Sequence, residues 1–401
     1  MPDLITVEEA QRLVLERTTK LDPERVPIER AFGRVLSEPV AAQCDLPPFP
    51  SSAMDGFAVR ARDVADAPTS LVLVGSAPAG SPSPVGVAEG EAVAISTGGA
   101  VPPGADAVVP VELTRSANGR IEVVQAVSAG ANVRPRGGDV LAGAAVLPGG
   151  AYLGGAQVGA LAAAGISEIR CAKRPRVGIL VTGSELRRPG EALEQGQIYE
   201  SNGLMLAGLL AGAGAVPAQL GIIPDDENTH RTTMEKALLG FDMLVTTGGA
   251  SVGVHDLVRR VLADLRVEEV FWRVAIKPGR PVAFGVRRDH LVFSLPGNPV
   301  SALVCFELLV RPAVNALLGV PEPLPRFEQA VLTESVRRDP HRDQFVRMRA
   351  RYGDDRVELE AIRGQESHMI ASAAQANVIS HIPRGEGELP AGTAARYLRL
   401  R

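Results

Sequence analysis

Carboxylates, cations and glycines recur together in short strings through the second half of this chain. "TGSEL" holds Glu185, "PDDE" holds Asp225 and Asp226, and "TTGGASVGVHD" holds Gly248, Gly249, Ser251, Gly253 and Asp256. "AIKPGRP" brings Lys277 and Arg280, and "LPGNPVSA" brings Pro296, Gly297, Asn298 and Ser301. Glycine without a Cβ lets backbone N–H groups come close to phosphate oxygens, so Gly248, Gly249, Gly253, Gly279 and Gly297 read as a phosphate cradle. Lys277 and Arg280 would offset the phosphate charge. Carboxylates beside a phosphate repel it unless a divalent ion such as Mg²⁺ lies between, so Glu185, Asp225 and Asp256 read as ligands of that ion, direct or through water. Plain readings stand beside these. Asp225 and Asp226 also occupy the place of a helix cap, and "LPGNP" alone is a turn before a helix. His255 reads as a solvent-facing helix residue.

These strings need elements that bring them to one place. From Arg176 the pattern alternates strands and helices: "RVGILVTG" (176–183), a helix near 201–212, "VPAQLGIIP" (216–224), and a helix from Asp225 or Asp226. "DMLVTTGG" (242–249), a helix over 254–265, "HLVFSLPGNP" (290–299) and a long helix ending near Gly319 complete it. Such alternation with short connections implies parallel βαβ units in a doubly wound sheet. Ligands of such sheets bind outside the carboxyl ends of the strands, where the loops above fall. Residues 45–135 carry short Val-rich runs punctuated by Pro and Gly and read as a small β-rich domain, and 321–401 alternates in period two as a compact C-terminal β-barrel or sheet. Residues 1–44 and 136–172 are grouped as an elongated N-terminal linking domain, and 173–320 as the α/β domain.

The β-rich stretch has its own candidates. In "PPFPSSAMDGFAV" prolines stiffen an approach to a turn ending in Asp55, where Ser51, Ser52 and Asp55 are open to contact with a ligand or metal, or simply to a structural turn. Thr97 in "STGGAVPPGAD", and Arg134 before "GGD" with Asp139, carry the same two readings.

Composition narrows the function classes. Aromatics are 4% of the chain and the net charge is −4, so stacking on single-stranded nucleic acid and phosphate-backbone binding are both disfavoured. Cys44, Cys171 and Cys305 stand far apart without C-x-x-C spacing, which indicates neither disulfides nor structural zinc and fits a reducing cytoplasm. The start "MPDLITVEEAQRLVLERTTK" reads as an amphipathic helix with a Thr6–Glu9 capping box, not a signal peptide. Two uncharged stretches, 140–167 and 203–224, are interrupted by Pro and Gly and read as buried helices joined to a strand or turn, so no membrane span is expected.

At these residues the chain resembles the molybdopterin molybdenumtransferase family, that of bacterial MoeA and the E domain of gephyrin, over nearly its whole length. "PPFPSSAMDGFAV", "GQIYESN", "TTGGASVGVHD", "AIKPGRPVAFG" and "LPGNPVSALVCFELLVRP" occur in order, and "VRPRGGD" and "ESHMIASAAQAN" look like family segments too. The resemblance implies a central MogA-like α/β domain and a homodimer of four-domain subunits. It implies that adenylylated molybdopterin and molybdate give molybdenum cofactor and AMP with Mg²⁺ or a similar ion, and that Asp55 acts in trans at a crevice between subunits. Asp55, Thr97, Arg134, Asp139, Glu185, Asp225, Asp256, Lys277, Arg280 and Ser301 are the site residues so carried over. A MogA-type adenylylating enzyme and molybdoenzyme acceptors are the protein partners it suggests. Three positions depart from the family pattern: Ser184 where Asp is usual, Arg280 for a common Lys, and Gly138 where an acidic residue is usual. Two rival readings remain, an adenylyltransferase or phosphohydrolase on another nucleotide and a non-catalytic scaffold of the gephyrin type.

Overall fold

The structure, a computed structural model, describes residues 4–248, 254–354 and 356–400, with the side chains of 254–256 left out of the description. Contacts group the chain into a larger unit, 1–24, 33–37 and 170–401, and a smaller one, 25–32 and 38–169.

The larger unit begins with α1 (Val7–Glu16), whose first turn is capped by Thr6 accepting from the Glu9 N–H at 3.1 Å. Only that half of the expected capping box forms, because the Glu9 carboxylate pairs with Arg12 instead. The α/β elements then follow in the expected order: β1 (Arg176–Thr182), α2 (Asn202–Gly212), β2 (Val216–Ile223), α3 (Glu227–Gly240), β3 (Met243–Gly248) and α4 (Val254–Asp264). Two strands that the sequence patterning does not announce come next, β4 (Glu268–Trp272) and β5 (Ala283–Arg287). β6 (His290–Leu295) and the helical run α5 (Pro299–Leu317) close the series.

The strand order is β2-β1-β3-β6-β5-β4. The first four strands are parallel, while β5 runs antiparallel to both its neighbours, so the sheet is mixed where an all-parallel one was expected. Alternation along β1 shows how the layers form. Val177, Ile179 and Val181 enter a core shared with α1, α2 and α5, whereas Leu180 enters the core shared with α3 and α4. A strand buried on both faces reads as a continuous apolar run, which is why "RVGILVT" is so legible.

α5 is long and apolar enough to cross a membrane by length and composition, but 83% of its apolar window is buried inside the fold, as expected of a core helix. Its middle turn, Phe306–Val310, is π-wound. Pro312 has no N–H to give the Leu308 carbonyl four residues back, and the buried Gln11 amide of α1 donates to that carbonyl at 3.0 Å. α1, which composition groups with the linking segments, is thereby fastened to the α/β core.

The C-terminal β segment is a five-stranded closed barrel of Asp343–Tyr352, Val357–Ala361, Glu328–Leu332, Ala394–Arg399 and Val378–Ile382, closed by pairing of the first with the last. The two-residue strand Ile276–Lys277 joins it in parallel at Asp343–Gln344.

The smaller unit holds a six-stranded mixed sheet in the order Ala107–Pro110, Gly56–Val59, Glu91–Ile95, Thr69–Ala77, Arg120–Val123, Thr114–Ala117. Of the helix Gly155–Ala163, in the uncharged stretch read as buried, only Leu161 is buried.

Candidate functional site

After β1 the chain passes to β2 on one side, then crosses to β3 on the other, so the strand order reverses between β1 and β3. This is the switch point at which open α/β sheets hold ligands. Thr182 and Gly248 end these two strands and are register partners. Gly248 has φ +122°, and a Cβ there would lie 2.0 Å from the Thr182 carbonyl oxygen, so no other residue fits. The Thr182 hydroxyl is buried and has no hydrogen-bond partner among the described residues.

Around that point the sequence-derived residues divide. Glu185 and Asp225 are both exposed on loops that follow adjacent strands, and the Ser184 hydroxyl donates to Asp225 Oδ2 at 2.9 Å. Ser184, a departure from the family pattern, thus fixes the carboxylate beside it. The two readings of "PDDE" separate cleanly: Asp226 is the N-cap of α3, accepting from the Thr229 N–H at 2.8 Å, which leaves Asp225 outside the helix. Hydrogen bonds from the Thr229 hydroxyl and N–H hold the Asp226 carboxyl below its ordinary range. Gly249, Ser251, Gly253 and the side chain of Asp256 lie outside the described residues, and among the described ones no group of three or more His, Cys, Asp or Glu could hold a metal. The acidic set in hand is the oxygen pair Glu185 and Asp225, a donor type suited to Mg²⁺.

The end of β3 and the loop after β6 are bound together by a residue missed in the sequence. Asn202, buried at the start of α2, donates through Nδ2 to Thr247 Oγ1 at 2.9 Å and to the Gly297 carbonyl at 2.7 Å. Thr247 Oγ1 donates on to the Pro296 carbonyl at 3.2 Å. Asn298 is the N-cap residue of α5, but its amide donates to Ser367 Oγ at 2.7 Å, and the Ser367 carbonyl accepts from Val300 N–H at 3.1 Å. The barrel therefore supplies the cap of this helix. Ser301 is buried within α5. Asn202 lay inside the string "GQIYESN", which was the available signal; Ser367 lay inside "ESHMIASAAQAN".

Lys277 and Arg280 sit on the loop after β4, at the same edge of the sheet. The turn is held by Cys305, whose thiol donates to the Gly279 carbonyl at 3.4 Å, and by Val274 N–H donating to the Arg280 carbonyl at 3.1 Å. Lys277 Nζ stands 3.8 Å from Asp339, whose carboxylate also takes Arg342 at 2.7 Å. Four strand spacings of ~4.8 Å put the bases of the β1 and β4 loops about 19 Å apart, which suits an elongated ligand better than a compact one. Burial pushes the Cys305 thiol well above its ordinary range, so it offers no thiolate.

In the smaller unit, Asp55 and Thr97 come together. Asp55 Oδ1 accepts from the Thr97 N–H at 2.6 Å and from its hydroxyl at 3.1 Å. Ser52 closes a local turn onto Met54, and Arg134 pairs in register with Ser51, which brings it beside the same loop. Asp139 is exposed and makes no side-chain hydrogen bond to the other candidates of this unit among the described residues.

Three family models tile the chain: the MoeA N-terminal region (domain I and II) over residues 5–165, a probable molybdopterin binding domain over 178–316, and the MoeA C-terminal region (domain IV) over 329–400. A molybdopterin molybdenumtransferase 2 of Mycobacterium tuberculosis is 36% identical over 397 residues, covering 97% of this chain and 98% of its own. The chain belongs to the molybdopterin molybdenumtransferase family. A transferase of Haemophilus influenzae is 33% identical over 394 residues, 97% of each chain. The crystal structure of the molybdopterin biosynthesis MoeA protein of Pyrococcus horikoshii OT3 superposes with a TM-score of 0.84 at 31% identity, over 99% of this chain and 100% of that one. The MogA-like α/β sheet and the closed barrel match this architecture.

Proposed function

We infer that this chain inserts molybdenum into molybdopterin to make molybdenum cofactor, the activity that its family relatives are named for. In our reading the pterin arrives adenylylated, water cleaves the pyrophosphate link to release AMP and leave the pterin phosphate, and molybdate binds the two dithiolene sulfurs as one of its oxygens leaves as water with the two thiol protons. The observation that carries this reading is the junction at Gly248: two strand ends pressed together so that only glycine fits, flanked by the exposed carboxylates Glu185 and Asp225.

Glu185, Asp225 and Asp256 would hold a divalent ion such as Mg²⁺, which when bound supplies neutralising charge at the pyrophosphate. Ser184 keeps Asp225 oriented, and its hydroxyl replaces one carboxylate of the usual family set. Lys277 and Arg280 stabilise negative charge that develops on phosphorus. Thr97 holds Asp55 in a fixed rotamer, and the resemblance supports Asp55, Arg134 and Asp139 as the part of the site that a second copy supplies in a cytoplasmic homodimer. The pterin dithiolene provides both sulfur ligands, in keeping with protonated, buried Cys305.

The test is to incubate the purified protein with adenylylated molybdopterin, molybdate and Mg²⁺ and to follow AMP. The expected result is AMP release that depends on molybdate and stops with EDTA. No AMP under any condition overturns the reading and favours the scaffold alternative. Release from other nucleotide anhydrides at equal rates favours a general phosphohydrolase.

A further inference from the structure

A cavity of about 350 Å³ beside β1 and β2 is lined by Ile179, Val181, Arg188, Glu200, Leu204 and Gln219, among others. Its walls are mostly aliphatic. Its one acidic lining residue, Glu200, is only 7% exposed, and Oε1 accepts from the Gly203 N–H at 2.5 Å. No hydrogen bond from any described residue reaches Oε2. Capping the first turn of α2 therefore uses half of this carboxylate and leaves the other oxygen free.

Gly203 preserves that opening. A Cβ at this position would stand 3.2 Å from Glu200 Oε2 and 3.0 Å from Val181 Cγ2. The place of the cavity matters as well. Its lining runs from the Ile179–Gln219 pair in the middle of the two strands to the Val181–Ile222 pair one residue before their ends, so the cavity extends to the carboxyl edge of the sheet. Glu200 is two residues before Asn202, whose amide binds the end of β3 to the loop after β6.

A carboxylate oxygen that no protein donor occupies, beside an apolar cavity, can accept from a ligand that supplies N–H groups. Apolar walls around one such acceptor suit a flat heterocycle with adjacent N–H donors on one edge. We propose that this cavity is a seat for the 2-amino-pyrimidinone edge of a pterin, with Glu200 Oε2 accepting from its N–H groups and Ile179, Val181 and Leu204 packing on the ring. The assignment deepens the transferase reading and rests on it for the choice of a pterin. It leaves the phosphate end of the molecule for the loops of Glu185 and Asp225 at the same edge.

The test uses neopterin as a fluorescent probe, titrated with the full-length protein, E200Q and L204W. Glu200→Gln keeps an oxygen for the Gly203 cap but puts an amide donor toward the ligand's own donors. Leu204 is exposed, so Leu204→Trp fills the cavity without entering the core. Losing a charge-assisted hydrogen bond should weaken neopterin binding roughly ten- to hundredfold in E200Q, and L204W should weaken it as well, with AMP binding unchanged in both. Equal neopterin affinity in all three proteins, or no binding by the wild type, overturns the assignment. AMP release from adenylylated molybdopterin is read in parallel. Release by the wild type with neopterin affinity unchanged in E200Q removes the cavity assignment and leaves the transferase standing. Neopterin binding lost in both variants, with no AMP released by any protein, does the reverse.

Discussion

Gly248→Ala and Gly208→Ala are the same chemical change at two glycines of one sheet-and-helix layer, and the structure gives them opposite signs. At Gly248 the backbone has φ +122°, and the added methyl would sit 2.0 Å from the Thr182 carbonyl oxygen and 2.6 Å from its hydroxyl. Holding alanine in that conformation costs about 1–3 kcal/mol. Displacing the strand end to relieve the overlap costs about 1–3 kcal/mol more. Gly208 lies exposed in α2 with nothing within 4 Å of the methyl. There, alanine removes unfolded-chain entropy and should stabilise by about 0.4–1 kcal/mol. Urea unfolding followed by the fluorescence of Trp272 reads this unit directly, because the chain's one tryptophan lies in β4, stacked 4.0 Å from Arg259 and 3.7 Å from Arg273. With a urea slope of about 3 kcal/mol/M, Gly248→Ala should lower the midpoint by about 0.7–2 M, and Gly208→Ala should raise it by about 0.1–0.3 M. AMP release should be lost in the first and kept in the second. A wild-type midpoint for Gly248→Ala would refute the claim that these strand ends leave no room for a side chain.

Asp225→Ala should abolish AMP release with little change in the urea midpoint, whereas Asp226→Ala should lower the midpoint and keep activity; the opposite pattern would exchange the cap and the metal ligand. Asn202→Ala strands the Gly297 carbonyl and should cost about 1–3 kcal/mol. The Asn202→Ala/Thr247→Val double variant should lose less than the sum of the two single variants, and strict additivity in a double-mutant cycle would show that they do not act as one network. Burial, aided by the 2.6 Å hydrogen bond to Glu328, pushes the Tyr397 hydroxyl of the barrel up to about 12. Its folded value is raised above the ordinary one, so its contribution is complete below about pH 10 and is lost as pH rises toward 12. Alkaline unfolding scans should therefore lose their slope over that interval in Tyr397→Phe, and an unchanged slope would assign it to other groups.

How far these features were legible in the sequence follows from where their partners lie. β1 and β3 are buried on both faces, so their apolar runs stand out, and the loops that follow carry glycines and carboxylates that no turn alone requires. β4, "EEVFW", and β5, "AFGVR", are short and carry charge at their ends; what makes them strands is antiparallel pairing, Phe284 against Phe293 and Phe271 against Phe284. The π-wound turn of α5 needs Gln11, 297 positions away in sequence from the carbonyl it serves. Asn202 and Gly297 are 95 positions apart, and Ser184 and Asp225 are 41 apart. A residue that meets ligand directly is marked by local composition, because glycine, carboxylate and cation must sit side by side around a phosphate. A residue that positions a loop is marked only by what the folded chain brings to it. Glu200 belongs to the second kind: its bond to the Gly203 N–H is local, but the cavity beside it is built by β1 and β2. Only the cavity against its second oxygen separates a cap from a seat for a ligand.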